Sequence, residues 1–157
     1  MARTIIPARE EHIFWIASNM AKADRRECEA AGLGPFRALR GSFERSVAAW
    51  TGMVDDEPVC MFGVSPVDIL GGVGSPWLLG TDKVRKYAVT FLRLNKGYIA
   101  RMLEIFTRLE NYVDDRNEIS IRWLKWLGFT FDPEPVPYGV WGMPFFKFRM
   151  EKENNGL

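Results

Sequence analysis

The segment from Asn117 to Phe129, NEISIRWLKWLGF, carries both of its own ends and so constrains the fold more than any other stretch. Asn117 is a natural helix N-cap, because its side-chain oxygen accepts one of the orphan backbone N–H groups of the first turn. Ile121, Leu124 and Leu127 recur at helical spacing as one apolar stripe. Gly128 ends the helix, since glycine enters the left-handed region without a Cβ penalty. Strand-forming runs lie on both sides, Leu109 to Val113 before it and Phe129 to Phe131 after it. A one-faced helix between strands belongs on a sheet, which predicts an α/β architecture.

The rest of the chain agrees. Thr4 to Ile6 is a short strand stopped by Pro7, and Arg9 to Ala31 reads as one helix, with Ile13, Ile16, Ala17, Met20 and Ala21 at helical spacing. A shorter helix follows Pro35, from Phe36 to about Arg45. Val47 to Val54 and Val59 to Val64 flank Asp55-Asp56-Glu57-Pro58 as a hairpin with an acidic turn. Asp68 to Gly80 is rich in glycine and reads as an irregular loop feeding a central strand. Val84 to Phe106 is the strongest periodic signal, a long helix that Gly97 could kink. Pro133 to Pro137 forces an extended segment, and Phe145 to Met150 alternates as a last strand. The expected domain spans residues 1–150, and 151–157 form a polar tail.

Bulk properties bound function only loosely. At 157 residues, 47% hydrophobic and 26% charged, the chain suits one domain with a conventional core. A net charge of +1 gives no global electrostatic case for binding nucleic acid. Two distant cysteines, Cys28 and Cys60, and a single histidine, His12, supply neither a disulfide framework nor a metal ligand set. The N-terminus has acidic residues where a signal peptide has its apolar run, and no stretch reaches the ~18 apolar residues of a membrane span. The composition points to a soluble protein of a reducing compartment.

The order of elements, with Asn117 to Phe129 as the specific part, resembles the GNAT N-acetyltransferase superfamily. That resemblance implies a central mixed sheet flanked by helices, with acetyl-CoA as cofactor and no metal. The run from Trp77 to Phe131 is similar, more narrowly, to the GNAT-like internal virion proteins of short-tailed phages. The shared features are the turn Thr81-Asp82-Lys83-Val84, a long basic helix, the Asn111-Tyr112-Val113 strand and the Ile121-Arg122-Trp123-Leu124-Lys125 helix. This narrower likeness implies a virion or morphogenesis component in the host cytoplasm during assembly, bound to other virion proteins or to itself.

Two departures from the GNAT pattern bear on catalysis. The family's coenzyme loop carries spaced glycines that let backbone N–H groups wrap a pyrophosphate. Here the corresponding stretch is Gly80-Thr81-Asp82-Lys83-Val84-Arg85-Lys86-Tyr87, in which Asp82 repels phosphate. Thr81, Lys83, Arg85, Lys86 and Asn117 are therefore the candidate coenzyme contacts. Many of these enzymes also place a tyrosine as general acid four residues before the Gly of Gly-Phe, where this chain has Leu124.

Asp114 and Asp115, at the C-terminal end of a strand, are the candidate catalytic bases; the alternative is that they are solvated and charge the next helix. His12 reads as structural or exposed, and both cysteines read as inert. The basic side of the long helix reads as a solvated face. Tyr138, Trp141 and Phe145 are the candidate interface residues, because the aromatic run there exceeds what one strand face can bury. The sequence thus favours a virion protein with a degenerate acetyl-CoA site. The alternative is an active N-acetyltransferase acting on a protein or small-molecule amine.

Overall fold

The computed structural model describes residues 2–153 as a mixed sheet with helices on both faces. The strands are β1 (Arg3–Pro7), β2 (Ala48–Val54), β3 (Glu57–Asp68), β4 (Val73–Gly80), β5 (Arg108–Asp114), β6 (Thr130–Phe131), β7 (Val136–Tyr138) and β8 (Met143–Glu151). They lie in the order β1-β2-β3-β4-β5-β8-β6, with β7 beside the other half of β8. Every pairing is antiparallel except β4 with β5.

Helices α1 (Glu11–Ser18), α2 (Lys22–Ala30) and α3 (Pro35–Arg45) cover one face, where Ile13, Ile16, Leu39 and Met61 form a buried cluster. Helices α4 (Lys83–Lys86), α5 (Ala88–Ile105) and α6 (Glu118–Leu127) cover the other, over Phe62, Phe91, Met102, Leu109, Phe129 and Phe148. The apolar stripes of these helices face the sheet because only that arrangement removes both surfaces from water.

Three expectations are corrected. Residues 9–31 form two helices instead of one. The chain breaks at Asn19–Ala21, where Met20 bridges to Thr81 and Ala21 N–H donates to the Gly80 carbonyl. The cut end of α1 is capped by Arg25, whose guanidinium donates to the carbonyls of Met20, Ala17 and Ser18. The irregular loop expected over 68–80 is mostly strand β4, paired with β3 along its length. The long helix breaks at Tyr87, between α4 and α5, and not at Gly97, which sits inside α5.

The expected polar tail begins later than residue 151. Glu151 is the last residue of β8, opposite Arg108, and Lys152 N–H donates to the Thr107 carbonyl. Residues 154–157 lie outside the described residues. No helix among the described residues is long and apolar enough to cross a membrane.

Candidate active site

β4 and β5 pair only at Val73–Arg108 and Gly74–Leu109, and then part. β4 continues to Gly80 and β5 to Asp114, so their inner edges face each other across an open gap. The gap widens into a cleft of about 490 Å³ lined by both strands, α2, α6 and the β7–β8 hairpin. Parting parallel strands leave ladder groups without a strand partner, and such groups must find partners elsewhere.

Side chains provide those partners. Asp24 Oδ2 accepts from Gly80 N–H at 2.9 Å at the end of β4. Glu27 Oε1 accepts from Asp114 N–H at 3.2 Å at the end of β5, and from Asn117 Nδ2 at 3.1 Å. Asp24 and Glu27 are one turn apart on α2, and together they staple that helix across the cleft mouth. Between the strands, Asn111 Nδ2 donates to the Pro76 carbonyl at 2.7 Å, and Asn111 Oδ1 accepts from Tyr112 N–H at 2.8 Å.

Burial sets the protonation of the two carboxyls. It pushes Glu27 up to about 7, partly offset by the Asn117 amide and increased by the nearby Asp24. It pushes Asp24 up to about 6, partly offset by the Gly80 N–H. Two acids titrating near neutrality in one cleft have the character of a proton-transfer site.

Two tyrosines face the same space. Tyr138 of β7 stacks on Tyr112 of β5 with ring centroids 4.7 Å apart, and both line the cleft. Burial, then Tyr112 and Glu27, raises the Tyr138 hydroxyl above its ordinary value, so it keeps its proton at neutral pH. The hairpin holding Tyr138 is tied to the helix holding Glu27. Val140 N–H donates to the Ala30 carbonyl at the end of α2, and Gly139 (φ +74°) lies so close that a Cβ there would meet the same oxygen at 2.0 Å.

Several residues expected at the site have other roles. Asp114 is tied to Arg116: although burial pushes its carboxyl up, two side-chain bonds and a backbone bond from Arg116 outweigh that and hold it below the usual range. Asp115 is half-buried and outside the cleft lining, its N–H donating to the Pro144 carbonyl. Thr81 is buried, with N–H and Oγ1 both on the Val59 carbonyl. Lys83 is drawn to Glu57 at 2.6 Å, and Lys86 lies over the Tyr87 ring. Arg85 alone of these cations lines the cleft.

Asn117 does sit in the cleft, capping α6 through Ser120 N–H while its amide holds Glu27. Phe145 is buried beneath Tyr138 and offers no surface, so Trp141, 74% exposed, is the member of the expected interface that faces solvent. His12 is structural: burial lowers its pKa, and Nδ1 accepts from Arg9 N–H with Thr51 Oγ1 2.7 Å away. Burial pushes the Cys28 and Cys60 thiols up to about 12, which leaves them unreactive. Among the described residues no cluster of three or more His, Cys, Asp or Glu could hold a metal ion.

Asp24, Glu27 and Tyr112 are the residues that sequence reasoning missed. Their signal is spatial: α2 reads KADRRECEA, in which nothing distinguishes Glu27 from Glu29 on the chain. Only the parted strands make two of its acids special.

The sequence matches no protein-family model and no curated protein sequence. Solved structures are informative about the fold. The chain is similar to Ard1 from Thermoplasma volcanium, with a TM-score of 0.74 at 14% identity over 98% of this chain and 100% of that one. It is similar to the spermidine N-acetyltransferase from Vibrio cholerae, determined with CoA and spermine (TM-score 0.70, 8% identity, 96% and 95% covered). It also resembles the ribosomal-protein-S18-alanine N-acetyltransferase from Escherichia coli (0.69, 11%, 99% of each). The chain therefore has the GNAT acetyltransferase fold.

Proposed function

We propose that this protein is an acetyl-CoA-dependent N-acetyltransferase whose acceptor is a primary amine. The observation that carries the reading is Glu27, a carboxyl titrating near 7 at the mouth of a strand-lined cleft in this fold. The cleft suits an acyl carrier with an extended amide arm, because the Pro76 carbonyl and the Tyr112 N–H lie along it spanned by the Asn111 side chain and not by a neighbouring strand. Arg85 at its lining would meet the phosphates. Acetyl-CoA would supply an acetyl group as a thioester open to attack by a neutral amine.

The chain's own part is to hold and move protons. Both bonds that Glu27 accepts fall on Oε1, which orients the carboxylate and directs Oε2 to a second role. Near pH 7 it is divided between acid and base forms, the condition under which a general base works best. Tyr138, still protonated, would supply the hydroxyl that Leu124 cannot, from β7 beside Tyr112. The walls formed by α2 and the hairpin would limit the directions from which the amine approaches.

The virion reading rests on the narrower likeness from Trp77 to Phe131, the missing loop glycines, Leu124 and the aromatic C-terminal run. With Tyr112 and Tyr138 facing the cleft, Leu124 no longer argues against catalysis, and the solved neighbours favour the enzymatic reading. A thermal shift with acetyl-CoA, followed by turnover on polyamines, lysine and peptide N-termini, tests it. Stabilisation at sub-millimolar acetyl-CoA with amine-dependent release of free thiol is expected. Absence of both would return the fold to a non-enzymatic role.

A further inference from the structure

Asn111 occupies an unusual place. Its carboxamide lies between two parted strands, with its carbonyl on the N–H of β5 (Tyr112, 2.8 Å) and its NH₂ on a carbonyl of β4 (Pro76, 2.7 Å). One acceptor facing β5 and one donor facing β4 is the bonding pattern of a peptide group in an inserted strand. Pro76 strengthens the comparison, since proline offers the gap only its carbonyl. The side chain is thus a built-in amide filling a position made for an amide.

We propose that Asn111 is a resident plug of the β4–β5 gap, and that it sets how tightly the cleft takes any ligand with an extended amide-bearing arm. Such an arm can use the Tyr112 N–H and the Pro76 carbonyl only after the carboxamide has swung away. The apparent affinity is then the intrinsic affinity reduced by the fraction of molecules with the plug open. Asn111 acts here as a specificity residue: an arm carrying an amide at this depth replaces both lost bonds, whereas an ester or hydrocarbon arm does not. A ligand that stays at the cleft rim is indifferent to it.

This inference rests on the acyl-CoA reading of the cleft. The test is calorimetry of coenzyme A, of pantetheine, and of the adenosine bisphosphate half alone, on wild type and Asn111→Ala. The plug predicts that Asn111→Ala binds coenzyme A and pantetheine about tenfold more tightly, the worth of roughly one net hydrogen bond. The nucleotide half alone should bind both proteins equally. Asn111→Asp keeps the acceptor but loses the donor, and should fall between the two; it also serves if the alanine variant folds poorly. Equal or weaker binding of coenzyme A by folded Asn111→Ala and Asn111→Asp would overturn the plug while leaving the acyl-CoA reading intact. No binding of coenzyme A to any form would overturn both.

Discussion

Helices α2 and α6 are of similar length and meet at one hydrogen bond, Asn117 to Glu27, yet they are held in opposite ways. α6 has a side-chain N-cap in Asn117, a left-handed glycine stop at Gly128 and an apolar stripe, all within its own segment. α2 has no side-chain cap at its N-terminus. Its start is set by the Gly80 carbonyl bonding Ala21 N–H, its acids reach across to β4 and β5, and its end is pinned by Val140. A helix specified by its neighbours is positioned to report on them. It is α2, not α6, that brings titrating groups to the cleft.

The comparison can be broken by substitution: changes in α2 should alter chemistry and pH response, and changes in α6 should alter stability. The largest effect is expected for Glu27→Gln, which should lower kcat for the amine that turns over by about 10²–10³-fold. Wild-type kcat/KM should rise with pH through about 7, as Glu27 loses its proton, and the variant should lose that inflection. Tyr138→Phe comes next, with a loss on the order of 10²-fold and the inflection near 7 retained.

Gly139→Ala tests the tie between hairpin and helix. It forces a Cβ against the Ala30 carbonyl at positive φ, and should destabilise the fold by about 2 kcal/mol in denaturant melts. Asn117→Ala removes the α6 cap, worth about 1 kcal/mol, and should also raise the Glu27 pKa, since its amide lowers it now. A pH–rate profile that stays fixed while stability falls would show that the two helices are uncoupled.

The smallest effect concerns stability alone. Glu27 binds its proton more tightly folded than unfolded, so its contribution falls as pH rises from about 4.5 to about 7. Glu27→Gln should therefore gain thermal stability relative to wild type at pH 8 and lose that advantage at pH 4, read as the difference between their melting temperatures at the two pH values.

These contrasts also explain what was legible in the sequence. Asn117, Gly128 and the Ile121–Leu124–Leu127 stripe act through local bonds and a fixed period, so the sheet-packed α6 and its family resemblance could be read directly. The break at Asn19–Ala21 could not, because it is imposed by Thr81 and Gly80, some 60 residues away on the chain. The same holds for the site. Asp114 stands out in the sequence for its place at a strand end, but Arg116, two residues on, pairs with it. Glu27 is placed by the backbone of a strand it does not adjoin in sequence.

The claim on which the rest depends is that the parted edges of β4 and β5 receive acetyl-CoA beneath α2. Following the backbone amide resonances of Gly80, Tyr112 and Asp114 during an acetyl-CoA titration tests it most directly. Saturable shifts at all three with sub-millimolar ligand, larger than those along β1 and β2, are predicted. Ligand-induced shifts confined to other surfaces, with these three amides unmoved, would contradict it.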